Sequence, residues 1–149
     1  IVTVYAHASG ARLPLPMLAL RSTDTAPAQY AFDRGLLGGP TGLLAFVVSG
    51  ASSWVTRGLE ATAEAVMAQA ETELSRFLRP PLRLVRTIVE RRATFLCEPA
   101  LRRPAASVAP ALEAAGDYIA GPYPATLEGA VRSGVAAAQR LRRRLASQR

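Results

Sequence analysis

Between residues 56 and 79 the apolar side chains of Leu59, Ala63, Val66, Ala70, Leu74 and Phe77 recur three or four apart, while Glu60, Glu64, Glu71 and Arg76 fall largely off that stripe. This period predicts an amphipathic helix over 56–79 with Thr56 as its N-cap. Pro80-Pro81 stops it, because proline lacks an N–H and its ring clashes with the preceding turn. Such a stripe must be buried against something, and the flanking segments have a different period. Residues 1–6 alternate as a strand does. Residues 29–34 and 42–49 are strand-like runs separated by Gly35-Leu-Leu-Gly-Gly-Pro-Thr41, which predicts a β-hairpin. Leu13-Pro-Leu-Pro-Met17 is extended, stiffened by proline and unable to donate a full ladder. Residues 82–97, rich in Val, Ile, Thr and Phe, form a further extended run; Arg86, Glu90, Arg91 and Arg92 require part of it to be exposed or bent. A connector over 99–110 leads to a short strand at about 112–115 and a second helix over about 124–145. The expected fold class is α+β: mixed strands with one long amphipathic helix and a C-terminal helix.

At 149 residues, half of them apolar, the chain is long enough for an ordinary core. It opens Ile1-Val-Thr-Val-Tyr5 without an initiator Met, a basic leader or an apolar leader, which reads as the interior of a longer protein, a fragment. The net charge of +7 suggests an anionic partner, but its distribution does not. Arg140, Arg142, Arg143, Arg144 and Arg149 sit in an acid-free tail, leaving 13 basic against 11 acidic residues elsewhere. All 18 basic residues are Arg. The tail reads as a solvated helix C-terminus whose cations suit the dipole; the alternative, from another class of function, is a small basic module that binds nucleic acid or an anionic membrane. No nucleic-acid partner is expected. A single cysteine, Cys97, excludes an internal disulfide and a Cys-rich zinc site, so no metal is expected and a reducing, cytoplasmic setting fits. No apolar run approaches the roughly 20 residues that span a bilayer, leaving peripheral membrane contact open.

Residues 115–134 carry the most chemistry: strand end, tight turn and helix N-terminus, with the carboxylate of Asp117 at the turn. Pro122 and Pro124 end the extended run and launch the helix. First-turn N–H groups around Ala125, Thr126 and Leu127 then favour an anion or a developing negative charge. Within the helix Gly129, Ala130, Ser133, Gly134, Ala137 and Ala138 set small side chains at helical spacing, so another backbone or a flat ligand can approach closely.

Ala-Gly-Asp-Tyr at 115–118 and Tyr-Pro-Ala-Thr-Leu-Glu-Gly-Ala-Val-Arg-Ser-Gly at 123–134 resemble the C-terminal end of FAD-dependent oxidoreductases of the amine oxidase and phytoene desaturase superfamily. The likeness is greatest to the squalene-associated branch, the hydroxysqualene dehydroxylases, through Leu15-Pro-Met-Leu18, Ala28-Gln-Tyr-Ala-Phe-Asp-Arg34, Val47-Val-Ser-Gly-Ala51, Glu90-Arg-Arg-Ala-Thr-Phe95 and Arg103-Pro104. The resemblance implies a fragment of a two-domain α/β flavoenzyme. Residues 1–80 would belong to the substrate-binding domain, and 81–149 would return into the FAD-binding domain. It implies FAD as cofactor, a long apolar isoprenoid as substrate, reductive dehydroxylation of hydroxysqualene to squalene as the reaction, and the upstream remainder of the enzyme as partner. A carotenoid desaturase or another amine-oxidase-like flavoenzyme is the alternative within the class.

By the same resemblance the cofactor site comprises Gly116, Asp117, Tyr123, Pro124, Ala125, Thr126, Leu127, Glu128 and Gly129, with Asp117 at the ribityl or diphosphate region. Asp117 has a competing structural role at a turn, and Glu128 is equally a first-turn acid that balances the dipole. Tyr118 and Ile119 depart from the Trp and Thr common in relatives. No G-x-G-x-x-G occurs, so the pyrophosphate-gripping fingerprint is expected upstream and the fragment alone is expected to bind FAD poorly and to be inactive. Cys97 reads as a small core residue rather than a flavin attachment point. His7 reads as a strand-borne polar residue, Asp33 and Arg34 as solvated charges near the hairpin turn. Trp54, Tyr30 and Phe32 either line an apolar substrate tunnel or pack in the core. No catalytic residue is identified, which suits chemistry supplied by a cofactor.

Overall fold

Strand β1 (Val2–His7) buries Val2, Val4 and Ala6 on one face and leaves Thr3 and Tyr5 half-buried on the other, the alternation its sequence dictates. The computed structural model describes residues 1–78 and 81–147, in two compact units, Ile1–Arg91 and Arg92–Arg149. In the first unit β1 joins β2 (Met17–Ala19), β3 (Tyr30–Asp33), β4 (Leu43–Val48) and β5 (Arg83–Val89) in one sheet ordered β2-β3-β4-β1-β5, every neighbouring pair antiparallel. The expected hairpin is β3–β4, and the proline-stiffened segment enters the sheet only at its end, as the short edge strand β2. On the core face Ala31, Leu44, Phe46, Val48, Val2 and Val4 form a continuous cluster. Burying each of the larger ones is worth roughly 1.5–3 kcal/mol.

The opposite face has its own order. Register aligns Met17, Phe32, Ala45, Tyr5 and Arg86 in one cross-strand row, and Ala19, Tyr30, Val47, Thr3 and Ile88 in the next. Tyr30 and Phe32 therefore share a face that is not the core, with Met17, Tyr30 and Ile88 exposed. Trp54 does not join them; it packs against the core cluster, with the Arg57 guanidinium 4.4 Å from its ring centroid. Between Tyr5 and Ala6 the β1–β5 register shifts: Arg86 opposes Tyr5, Leu84 opposes Ala6, and Val85 is the extra residue of a bulge. His7 ends β1 exposed, between Leu43 and Arg83.

The long helix is broken where the sequence predicts continuity. Helix α1 (Ser52–Arg57) ends at Gly58, and α2 (Leu59–Glu73) begins there. Gly58 has φ 103° and ψ 151°, a conformation open to glycine and costly to other residues. Thr56 is thus no N-cap: it lies inside α1 and its hydroxyl donates to the Ser52 carbonyl. The helix also ends at Glu73, before Arg79 and Pro80, which lie outside the described residues. The stripe itself holds, with Ala63, Val66, Ala70 and Leu74 buried in the core cluster.

Two buried polar side chains pin this unit. Gln69 accepts from the Ala28 N–H (2.8 Å) through Oε1, and its Nε2 donates to the Ala28 carbonyl and to Glu73 Oε1, each at 2.9 Å. Ala28 thereby finds in a helix side chain the partners it would otherwise need from a strand. Asp33 is 2% exposed, not solvated as its place near the turn suggests. Its carboxylate accepts the Leu13 N–H (3.0 Å) and the Leu36 N–H (3.2 Å), tying two loops to β3.

In the second unit β6 (Ser107–Ala109) and β7 (Leu112–Glu113) form a small hairpin, and α3 (Leu127–Ala146) follows. The unit boundary falls after Arg91, later than residue 80, because β5 completes the first sheet. The extended run ends at Val89; residues 93–97 form no strand, and Cys97 is exposed rather than in a core. No helix among the described residues is long and apolar enough to cross a membrane.

Gln69→Leu keeps the volume but orphans the buried N–H and carbonyl of Ala28, at about 1–3 kcal/mol per group. We expect a loss of at least roughly 2 kcal/mol in urea unfolding followed by Trp54 fluorescence.

Candidate functional site

The helix that carries the site starts at Thr126, not at Pro124. Thr126 is extended (φ −128°, ψ 154°), and its Oγ1 accepts the N–H of Gly129 at 3.0 Å, an N-cap that the Thr-Leu-Glu sequence signals on its own. Its hydroxyl also donates to the Tyr123 carbonyl (2.7 Å). Ahead of the cap, Tyr123 (φ 58°) and Ala125 (φ 55°) both adopt left-handed conformations on either side of Pro124, each costing on the order of 1–3 kcal/mol. These two residues account for the later start, since neither is helical. The Ala125 N–H lies 3.3 Å from the Asp117 carbonyl, so it points back into the loop instead of out of a helix end.

Ser133 fastens the loop to α3. The Gly116 N–H donates to Ser133 Oγ at 2.8 Å, whose own proton has the carbonyls of Gly116 (3.0 Å) and Ala130 (2.8 Å) within reach. At the other end Arg103 donates to the carbonyls of Ile119 (2.8 Å) and Gly121, while the Ala120 N–H donates to the Pro104 carbonyl at 2.9 Å. The loop encloses a cavity of about 210 Å³ whose walls include Asp117, Gly121, Gly129, Arg132, Ser133 and Arg140. Among the described residues no donor is paired with the Asp117 carboxylate, so the turn-stabilising role open to that side chain is not the one it takes.

Arg140 is set in place from behind. Glu113 exposes none of its side chain; its Oε2 accepts from Arg140 Nε at 2.8 Å, its Oε1 lies 3.2 Å from Arg144 Nη1, and Ser107 Oγ donates to it at 3.1 Å. The Arg140 hydrogen bond holds the Glu113 carboxyl below the ordinary glutamate range; burial opposes this, and the Ser107 hydroxyl and both guanidinium charges add to it. Arg140 Nη2 is buried with no hydrogen-bond partner among the described residues. Of the tail cations expected to be solvated, Arg142 and Arg143 are exposed, Arg140 and Arg144 are half-exposed and paired with Glu113, and Arg149 lies outside the described residues.

Of the nine expected site residues, Asp117 and Gly129 line the cavity. Gly116, Tyr123, Ala125 and Thr126 build its loop. Leu127 is 89% exposed, Pro124 is exposed, and Glu128 pairs with Arg132 one turn on. The Arg132 guanidinium lies 4.9 Å from the Tyr123 ring centroid. Arg103, Arg132, Ser133 and Arg140 were missed as wall or support. The signal was available: 129, 133, 136, 137, 140 and 144 fall on one helical stripe, small at its start and ending in two arginines.

Residues 13–142 match the model of a protein family described as flavin containing amine oxidoreductase. No curated protein matches the chain.

A Cβ on Gly129 would run into the Tyr123 carbonyl, whereas one on Gly134 meets nothing within 4 Å. Alanine normally stabilises a helix interior over glycine by up to about 1 kcal/mol. We expect that gain for Gly134→Ala and the opposite sign, a loss of about 1–3 kcal/mol, for Gly129→Ala, read by thermal melting and by proteolysis of the 117–126 loop. The lowered pKa of Glu113 gives a pH signature. Its contribution is full above the ordinary value of 4.5 and lost as pH falls through the lowered one. Circular-dichroism melting across the acid range should show that loss, and Glu113→Gln should flatten it.

Proposed function

The chain belongs to the flavin containing amine oxidoreductase family, and from that premise we propose that it is the C-terminal portion of an FAD-dependent enzyme that reductively dehydroxylates hydroxysqualene to squalene. It is an oxidoreductase by family, and its cofactor is a flavin. The cavity beside the start of α3 carries the cofactor half of the reading. Its residues suit a polar segment of FAD: Asp117 offers an unpaired acceptor, and Arg132 and Arg140 place two guanidiniums in the wall. At about 210 Å³ it lies below the roughly 300–1,000 Å³ of a complete ligand pocket, as suits one wall of a site finished by other parts of the enzyme.

The open sheet face supports the substrate half. Met17, Phe32, Tyr5, Tyr30, Val47 and Ile88 offer an apolar, aromatic surface free of acids, which suits a long hydrocarbon. In this reading the first unit, residues 1–91, serves substrate binding and residues 92–149 return to the FAD-binding domain. An isoprenoid of this length resides in lipid, and peripheral membrane contact belongs to the same proposal. When bound, reduced flavin supplies the hydride equivalent that replaces the hydroxyl, which takes up a proton and leaves as water. The protein's part is to hold cofactor and hydrocarbon in a dry space.

The intact enzyme should purify with flavin absorbance and convert hydroxysqualene to squalene when given reduced flavin. Asp117→Ala should weaken FAD binding roughly 10- to 100-fold, the worth of a charge-assisted hydrogen bond. An intact protein that cannot be reconstituted with flavin would sink the proposal; turnover of a carotene precursor but not hydroxysqualene would replace the substrate.

A further inference from the structure

We propose that the open face of the first-unit sheet takes a linear isoprenoid carrying a diphosphate at one end, with Arg83 and Arg86 holding the diphosphate and the aromatic rows the hydrocarbon. The inference rests on the substrate half of the reading above, that this face receives a long hydrocarbon. It goes beyond that reading by naming a charged class of ligand and the residues that select it.

The cations of this face are gathered on one side. Register sets His7 opposite Arg83 and Tyr5 opposite Arg86, so all four belong to the open face, on strands about 4.8 Å apart. Arg34, whose N–H donates to the Leu43 carbonyl at 2.9 Å, carries the β3–β4 ladder one residue further and adds a third guanidinium to the His7 row. The row farthest from it, from Ala19 and Tyr30 through Val47 and Thr3 to Ile88, holds no charge. His7, Arg34, Arg83 and Arg86 are exposed, and among the described residues no acid pairs with the three arginines. Like charges gathered in this way repel one another and gain from an anion placed among them. One guanidinium already satisfies a carboxylate through two parallel bonds. Arg83 and Arg86, with the His7 imidazole beside them, call for more charge and more oxygens, which a diphosphate has. Bilayer headgroups surround an inserted apolar patch, so a membrane-docking face is served by cations on all sides. Cations on one side only suit a single molecule with one charged end.

Equilibrium dialysis of the intact enzyme against farnesyl diphosphate, farnesol and inorganic diphosphate separates the contribution of the charged end from that of the chain. Farnesyl diphosphate should bind roughly 10- to 100-fold more tightly than farnesol, and inorganic diphosphate more weakly than farnesyl diphosphate. The double substitution Arg83→Gln, Arg86→Gln should abolish the preference and leave farnesol affinity unchanged; both side chains are exposed on β5, so their loss uncovers no core. Arg86→Lys, which keeps the charge and loses the fork, should reduce the same ratio by less. A preference that survives the double substitution, farnesol affinity that falls with it, or inorganic diphosphate bound as tightly as farnesyl diphosphate overturns the inference. So does binding of phosphatidylglycerol vesicles through these arginines without a preference among the three soluble ligands. If the intact enzyme binds neither farnesol nor farnesyl diphosphate, the substrate reading of this face falls and the inference with it; if it binds farnesol and takes farnesyl diphosphate no more tightly, the inference alone falls.

Discussion

A carboxylate with no exposed surface must be compensated where it lies, and around Glu113 that requirement organises the second unit. Two guanidiniums one helical turn apart and a serine hydroxyl converge on it, fixing the β6–β7 hairpin against α3. From the rotation of α3 so fixed follow the direction of Ser133, the anchoring of Gly116 and the path of the loop that carries Asp117. The desolvation is offset by charge-assisted bonds that a single partner would not supply.

The first unit solves a related problem with an amide. Gln69 reaches from α2 to both backbone groups of Ala28, where the chain runs into β3. The helix is in this way registered against the sheet by hydrogen bonds as well as by the apolar stripe. An apolar stripe alone is tolerant of sliding, whereas an amide meeting one particular N–H and carbonyl is not.

Periodicity made most of this legible. β1, the β3–β4 hairpin, the stripe of α2 and the existence of α3 all follow from alternation or from three-to-four spacing in sequence. What escaped depends on single backbone angles or on distant partners. Gly58 divides the long helix because of one dihedral pair that the surrounding apolar spacing masks. Asp33 looks like a turn charge until two loop N–H groups, one of them 20 residues away, are found on it. The start of α3 was misplaced because Pro124 is a good first helical residue in isolation, while Tyr123 and Ala125 around it are left-handed. At the site, Asp117 and Gly129 were legible from the motif, but the roles of Arg140 and Arg144 were hidden by their place in an arginine-rich tail, since only folding reveals Glu113 beneath them.

The bulge at Val85 has a consequence for the open face of the sheet. In a regular strand Arg83 and Arg86, three residues apart, would point to opposite sides. The extra residue restores them to one side, where they oppose His7 and Tyr5. One corner of a largely hydrocarbon surface is therefore cationic, while the edge bearing Met17 and Ala19 is neutral. The face has a head and a tail, and a molecule lying along its rows meets two unlike ends.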